Sequence, residues 1–481
     1  MNVVILTTDT YTNPMQPVRY LGPYQIAWWL RENGYSTQVL DFLIFMSKTQ
    51  RLALYKKYIT LETKIVGYAP FFSPLLTKND TKLKIFSIIQ EITEHFPWVK
   101  LVIGGMFVKS LKTDFNFLKD SPIRIDAVFE GEAENSFLEY CNYIYKGEGK
   151  IKFTLFNNLK IIYPTETYNI QNCSMKYAEN DFILENESVP FELSRGCVFK
   201  CNFCQYKNIG KDKDDFNKSM NCVRDSFISN YNLGITRYHF SDDTLNSHRE
   251  RTKELLQITK DLDFKIEYNG YVRMDLLDIW PEQRDILPES GLVSCHFGIE
   301  SFDLESCNQI GKGWGGKNNK RFLKYINEEI WKDDVIIKCS FICGLGKETE
   351  KEWQDTYDWL IDSKVHDFQM GPLHLDKFNR GSEFEKNPEK FGYRFDDNTV
   401  PWYWKNDYTD FGKTLRWTSK IQRDIRSYKR RIPGAWAFTY MRNLGFSKEE
   451  ILNGNYFSLY SNADNLFKKF VQKYYDKAIN Y

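Results

Sequence analysis

The chain has 481 residues, enough for two or three domains, and its 65 basic and 64 acidic residues leave a formal net charge of +1. That balance excludes a global attraction to polyanions, although a local basic face stays open. Ten cysteines at irregular spacing, with no signal peptide, suit a reducing cytoplasm better than a disulfide framework, and no apolar run approaches the roughly 18 residues that cross a bilayer.

Residues 1–145 read as alternating strands and helices. Val3-Val-Ile-Leu6 is an apolar run of the kind buried in a parallel sheet. Arg19 to Asn33 has helical spacing through Ile26, Trp29 and Leu30, with Gly34 as its C-terminal cap. Further buried strands are expected at Thr37 to Leu40, Ile65 to Ala69, Leu101 to Gly104 and Ala127 to Phe129. The pattern predicts an open, doubly wound, Rossmann-like α/β sheet, which binds ligands beyond the carboxyl ends of its strands. The loops there, Gly67 to Ser73, Gly104-Gly105-Met-Phe107 and Glu130-Gly131-Glu132-Ala-Glu134, carry small or hydroxyl residues where a large ligand could approach the backbone. No G-x-G-x-x-G follows the first strand, so a dinucleotide fingerprint is missing.

Residues 146–186 read as a polar surface connector. From 187 to 380, strand-like runs at Val189 to Leu193, Thr236 to Phe240, Phe264 to Tyr268, Val293 to Ile299, Val335 to Ile342 and Phe368 to Leu373 alternate with helical segments. The first leads directly into Ser194-Arg-Gly-Cys197-Val-Phe-Lys-Cys201-Asn-Phe-Cys204, a C-x3-C-x2-C triplet. Three thiolates can hold a four-iron cluster while leaving one iron open to a substrate. Zinc is the plainer alternative, but Cys201-x2-Cys204-x17-Cys222 meets Asp225 where a fourth cysteine is needed, and His239 falls in a buried strand.

The triplet and the elements around it resemble the radical S-adenosylmethionine (radical SAM) superfamily, and residues 1–145 resemble the cobalamin-binding domain that precedes many of its cores. The resemblance implies a partial (β/α)6 barrel with a [4Fe-4S] cluster on Cys197, Cys201 and Cys204. Its SAM contacts would include Tyr206 near adenine, Asp242 or Asp243 on the ammonium group, and Arg273 on the carboxylate. Glu300 and Ser301 of Gly298-Ile-Glu-Ser, with Gly344 and Gly346 of the glycine-rich turn, complete the set. Structural alternatives stand beside these: a helix N-cap for either aspartate, an ion pair of Arg273 with Glu300 or Asp275, and plain turns for the glycines. Cobalamin would contact Gly67, Ser73, Gly104, Gly105, Gly131 and Glu132. The Asp-x-His-x-x-Gly motif is absent, since Asp9 to Met15 holds no histidine; a Rossmann-like domain that only packs against the barrel is the alternative.

The implied chemistry is one-electron cleavage of SAM to a 5′-deoxyadenosyl radical, with methylation of a carbon centre as the leading outcome. Cobalamin-dependent rearrangement or cyclisation and a non-enzymatic redox or cobalamin sensor are the alternatives. Only Cys141 and Cys173 precede the triplet, too few for the second cluster of a methylthiotransferase. A low-potential donor such as a flavodoxin or ferredoxin is expected, with a small-molecule or macromolecular substrate. Residues 381–481 read as a mainly helical, substrate-specific region. Trp402, Tyr403, Trp404, Tyr408 and Trp417 could stack on a base, and Lys413, Arg416, Lys420 and Arg423 share one helix face, either solvated or facing phosphates. Cys295, Cys307, Cys339 and Cys343 read as inert core residues.

Overall fold

The computed structural model describes all residues except 9–16, 71–78, 106–123, 157–158, 165, 167, 205–215, 313, 378–380, 396–401, 426–436 and 455. The N-terminal unit holds β1 (Val3–Thr8), α1 (Leu21–Glu32), β2 (Thr37–Leu40), α2 (Lys48–Tyr58), β3 (Ile65–Pro70), α3 (Asn79–His95), β4 (Lys100–Gly105), β5 (Ala127–Glu130) and α4 (Glu134–Lys146). Its strands are parallel in the order β2-β1-β3-β4-β5, as a doubly wound sheet requires. Alternation along β1 divides the core: Val3 and Ile5 pack with Ala27, Leu30 and Phe137 on one face, Val4 and Leu6 with Leu54, Tyr55 and Ile92 on the other. Gly34 ends α1 with φ +84°, a conformation that favours glycine.

Residues 146–186 do more than run along the surface. They form a hairpin of β6 (Thr154–Phe156) and β7 (Leu159–Ile162), and β7 extends the sheet by pairing in parallel with β5. The chain then buries Ile170, Cys173, Met175, Tyr177 and Phe182 before reaching the barrel.

The second unit is an open six-stranded barrel, β8 (Ser188–Phe191), β9 (Arg237–Phe240), β10 (Glu267–Val272), β11 (Leu292–Glu300), β12 (Ile336–Cys343) and β13 (Asp367–Pro372), all parallel and in sequence order. Pro190 is tolerated because β8 is an edge strand. Alternate residues pack outward, Tyr238 against Phe227 and Phe297 against Trp331. The opposite face is polar and includes His239, Asn269, His296, Lys338 and Asp367, with Lys338 Nζ 3.3 Å from Asp367 Oδ2.

The last hundred residues pack in three places. Tyr393, Trp404 and Phe411 pack with Leu345, Leu373 and Leu375 at the carboxyl ends of β12 and β13, and α5 (Phe411–Ile425) follows along β13. Next, α6 (Ala437–Asn443) caps the amino ends: Arg442 pairs with Glu267 at 2.6 Å, and Asn443 Oδ1 accepts from the Ser188 amide at 2.8 Å. Finally, α7 (Tyr456–Asn480) returns to the N-terminal sheet, with Phe467 against Phe45 and Phe470 against Phe42.

Candidate active site

The cysteine loop leaves the carboxyl end of β8, where catalytic residues of parallel barrels collect. Asp242, after β9, fixes its start. One carboxylate oxygen accepts from the Leu193 amide at 2.9 Å, the other from the Ser194 amide at 2.7 Å and Ser194 Oγ at 2.6 Å. Asn202 fixes the far side, its amide donating to Ile310 O at 2.9 Å and its side chain to Gln309 O at 2.8 Å. On this loop Cys201 is buried, and Cys197 and Cys204 are half-buried. Thr244 Oγ1 lies 3.3 Å from Cys197 Sγ, and Arg273 Nη1 lies 3.9 Å from Cys201 Sγ with its guanidinium 3.8 Å above the Phe199 ring. Three free thiols on one braced loop, with hydroxyl and guanidinium donors beside the sulfurs, fit a three-coordinate iron–sulfur cluster.

The SAM candidates gather around this loop. Asp242 is buried and committed to the Leu193 and Ser194 groups, a positioning task that the sequence did not disclose. Asp243 beside it is less buried. Burial pushes both carboxyls up to about 6, Asp243 with help from the Asp242 charge. Arg273 forms the ion pair with Asp275, at 2.5 Å, that stood as its structural alternative. Asn246 clamps the Arg273 backbone, accepting from its amide at 2.8 Å and donating to its carbonyl at 3.0 Å.

Glu300 has φ +67°, a strained conformation for a residue with a side chain, at an irregularity where β11 shifts register against β12. Its carboxylate pairs with Lys312 at 3.0 Å. Ser301 donates through Oγ to buried Glu348. Gly344 (φ +97°) and Gly346 (φ +56°) need their conformations, and a Cβ on Gly344 would lie 2.4 Å from Trp404. The space beside Gly344 is therefore taken by an indole of the chain itself. Tyr206 lies outside the described residues.

In the N-terminal unit, Gly104, Gly105 and Gly131 stand at the carboxyl ends of β4 and β5, Gly105 and Gly131 with positive φ. A Cβ on Gly67 would touch Phe137 and Ile5, one on Gly104 would press on Phe129, and one on Gly131 would meet Pro164. Internal packing thus involves each of these three. Ser73 and the histidine-free stretch from Asp9 to Met15 lie outside the described residues. Glu132 lies 3.7 Å from Arg195, which also binds Glu134 at 2.5 Å and Glu192 at 2.9 Å. Burial opposes the charge on Arg195, but Glu134 and Glu192 outweigh it and hold the guanidinium well above its ordinary pKa. Arg195, two residues before Cys197, thus joins the cluster loop to the carboxyl end of β5.

Sequence reading missed Arg195, Asn202, Asn246, Lys312 and Glu348. Arg195 and Asn202 lie inside the triplet segment, and Asn246 and Glu348 lie in the segments that carry Asp242 and Gly346, so these four were open to suspicion; Lys312 has no local signal. In the C-terminal region Trp404 and Trp417 are buried core residues rather than stacking platforms, while Trp402 and Tyr408 are exposed. Lys413, Arg416, Lys420 and Arg423 lie on the exposed face of α5. Cys295, Cys307, Cys339 and Cys343 are buried, and desolvation raises the pKa of each thiol. Among the described residues no helix is long and apolar enough to cross a membrane.

Residues 191–360, which hold the barrel, match the Radical SAM superfamily, so this part of the chain is a radical SAM domain. A [4Fe-4S] cluster and SAM follow from this assignment. Among curated proteins, the chain is 23% identical over 269 residues to bacteriochlorophyllide d C-12(1)-methyltransferase of Chlorobaculum tepidum, covering 55% of this chain and 56% of that one. It is 22% identical over 178 residues to the anaerobic magnesium-protoporphyrin IX monomethyl ester cyclase of Cereibacter sphaeroides, covering 35% and 28%. Its fold is similar to that of the radical SAM methyltransferase TsrM from Kitasatospora setae, solved with cobalamin and a [4Fe-4S] cluster. The TM-score is 0.67 at 13% identity, over 98% of this chain and 99% of that one.

Proposed function

We propose that this protein is a cobalamin-dependent radical SAM enzyme that methylates a carbon centre of its substrate. The observation that carries the reading is Arg195, which joins the carboxyl end of the Rossmann-like sheet to the cysteine loop at the carboxyl end of the barrel. Both ligand-binding edges thereby belong to one site. Cys197, Cys201 and Cys204 would hold the cluster. Asp243, Arg273, Glu300 and Ser301 would orient SAM, and Gly104, Gly105, Gly131 and Glu132 would border cobalamin. The cluster and SAM together supply a carbon-centred radical, and cobalamin supplies a transferable methyl group. The chain's own contribution is positioning: Asp242 and Asn202 fix the cysteine loop, and the barrel wall excludes water.

The decisive experiment is anaerobic reconstitution with iron, sulfide and hydroxocobalamin, followed by reduction in the presence of SAM. Expected are a cobalamin absorption band that survives gel filtration and formation of 5′-deoxyadenosine or S-adenosylhomocysteine. Well-loaded protein that cleaves no SAM would refute the enzyme and leave a sensor, while failure to retain cobalamin would refute its cobalamin dependence. The name of the Cereibacter sphaeroides relative favours a second reading, cyclisation, distinguished by a product that lacks the added methyl mass. Tetrapyrroles, named in both curated relatives, are the first substrates to try. The reading also calls for a low-potential donor such as a flavodoxin or ferredoxin.

A further inference from the structure

Two segments border the candidate SAM site, the Gly298 to Ser301 end of β11 and the Gly344 to Gly346 turn after β12, and one buried side chain joins them. Glu348, next to the second segment, accepts through Oε1 from Ser301 Oγ of the first. Its Oε2 accepts from Trp353 Nε1 at 3.1 Å. Ser301 is held on its other sides as well: Oγ accepts from the Asp303 amide at 2.8 Å, and its carbonyl accepts from Cys307 Sγ at 3.2 Å. A second link runs parallel, Ser306 Oγ donating to Leu345 O at 3.3 Å, and Gln309 Oε1 accepts from the Gly346 amide at 2.8 Å. Glu300, immediately before Ser301, keeps its positive φ in this setting. Strained backbone persists only where its surroundings over-determine it.

We propose that Glu348 is a positioning residue for SAM, its carboxyl group fastening the Ser301 segment to the Gly344–Gly346 turn so that Glu300 is presented to the ligand. Glu348 touches neither the cluster cysteines nor the candidate ligand contacts other than Ser301. Its partners are the Ser301 and Ser306 hydroxyls and the Trp353 indole N–H, with no cation among them. The titratable groups facing it are Asp303, whose charge opposes a negative charge there, and Cys307, Cys343 and Tyr393, which burial keeps neutral and which supply no positive charge. Burial first, then Asp303, pushes the carboxyl up to about 8, against the pull of Ser301, Ser306 and Trp353. The fastening form at neutral pH is therefore the uncharged acid, which can donate as well as accept.

This inference rests on the SAM reading of Glu300, so the test includes Glu300→Gln. Reconstituted holoprotein is titrated with SAM at pH 7 and pH 9.5, and binding is followed through the change SAM causes in the spectrum of the reduced cluster. Wild type is expected to lose affinity about tenfold more than Glu348→Gln over that interval, since glutamine keeps the uncharged shape. The α-amino group of SAM titrates nearby, at about 8, but does so equally in both proteins. Glu348→Ala is expected to bind about tenfold more weakly at both pH values, with iron content unchanged. If Glu348→Gln keeps the wild-type pH dependence, or Glu348→Ala binds as wild type, the inference fails alone. If Glu300→Gln also binds as wild type, the assignment of the site fails with it.

Discussion

Replacing Arg195 by methionine tests whether the cluster loop is tied to the N-terminal unit by charge. The Arg195 side chain is 14% exposed, and its partners Glu134 and Glu192 are 6% and 5% exposed. At an effective dielectric constant of about 20, charge centres about 4 Å apart attract by about 4 kcal/mol, and two such pairs are offset by the desolvation of all three groups. Removing the arginine alone leaves two buried carboxylates facing each other, for which a loss of about 3–5 kcal/mol is expected. Arg195→Met/Glu134→Gln/Glu192→Gln removes the stranded charges too and should recover most of that loss. Glu132→Gln should cost less than about 1 kcal/mol, because that contact is long, 3.7 Å, and more exposed. Urea unfolding of the apo-protein, followed by near-ultraviolet circular dichroism, measures all three. A single Met variant within about 1 kcal/mol of wild type, or a triple variant no better than the single, would refute the reasoning.

Gly344→Ala should cost about 2–3 kcal/mol, because its Cβ would lie 2.4 Å from Trp404 at φ +97°; Trp404→Leu in the same background should return part of it, read as melting temperature. Phe470→Ala takes a buried ring away from Phe42 and should cost about 3–5 kcal/mol, with dye binding reporting the exposed N-terminal sheet. Glu348 titrates at about 8 when folded and at about 4.3 when unfolded, so the folded state binds more protons between those values and stability falls as pH rises through them. Glu348→Gln should flatten that slope in denaturant midpoints measured from pH 5 to pH 8.5. Cys201→Ser should abolish the cluster absorbance after reconstitution and leave the barrel folded.

Both sheets were legible because their strands are short β-branched runs whose neighbours are turn residues, and because parallel strands buried on two faces read as continuous apolar segments. Strand β10 was placed a few residues early: Phe264 lies before the strand, and the alternation in Glu267-Tyr-Asn-Gly-Tyr-Val272 is interrupted by polar residues that face the barrel interior. The hairpin within 146–186 was hidden for the opposite reason. Thr154–Phe156 is exposed along its whole length although Leu155 and Phe156 are apolar, so its residues do not follow the buried pattern of the other strands, and it is held by pairing with Leu159–Ile162. The cysteine triplet carries its own chemistry and was read directly. Asp242, Asn246 and Glu348 act on backbone groups or turns tens of residues away, and such work follows from tertiary contact alone.

The chain's two ends meet in the N-terminal unit, and the contact is built around a buried cation. Arg19 has no exposed side-chain surface, and it pairs with Glu187 at 2.6 Å and Asp41 at 3.0 Å. Its guanidinium lies 5.2 Å from the Tyr474 ring of α7, whose hydroxyl accepts from the Asp41 amide at 2.9 Å. Asp41 follows β2, Glu187 immediately precedes β8, and Tyr474 belongs to the last helix, so one side chain orients three segments. Burying so many charges is a poor route to stability, since apolar residues of similar volume would serve as well. What a fork of fixed geometry adds is angular definition. With Arg19 behind the junction and Arg195 at the ligand-binding edges, the sheet and the barrel are fastened at two separated points, and two such points resist a hinge that one would permit. In a protein whose proposed chemistry needs reacting atoms within about 3–3.5 Å, that resistance bears directly on rate.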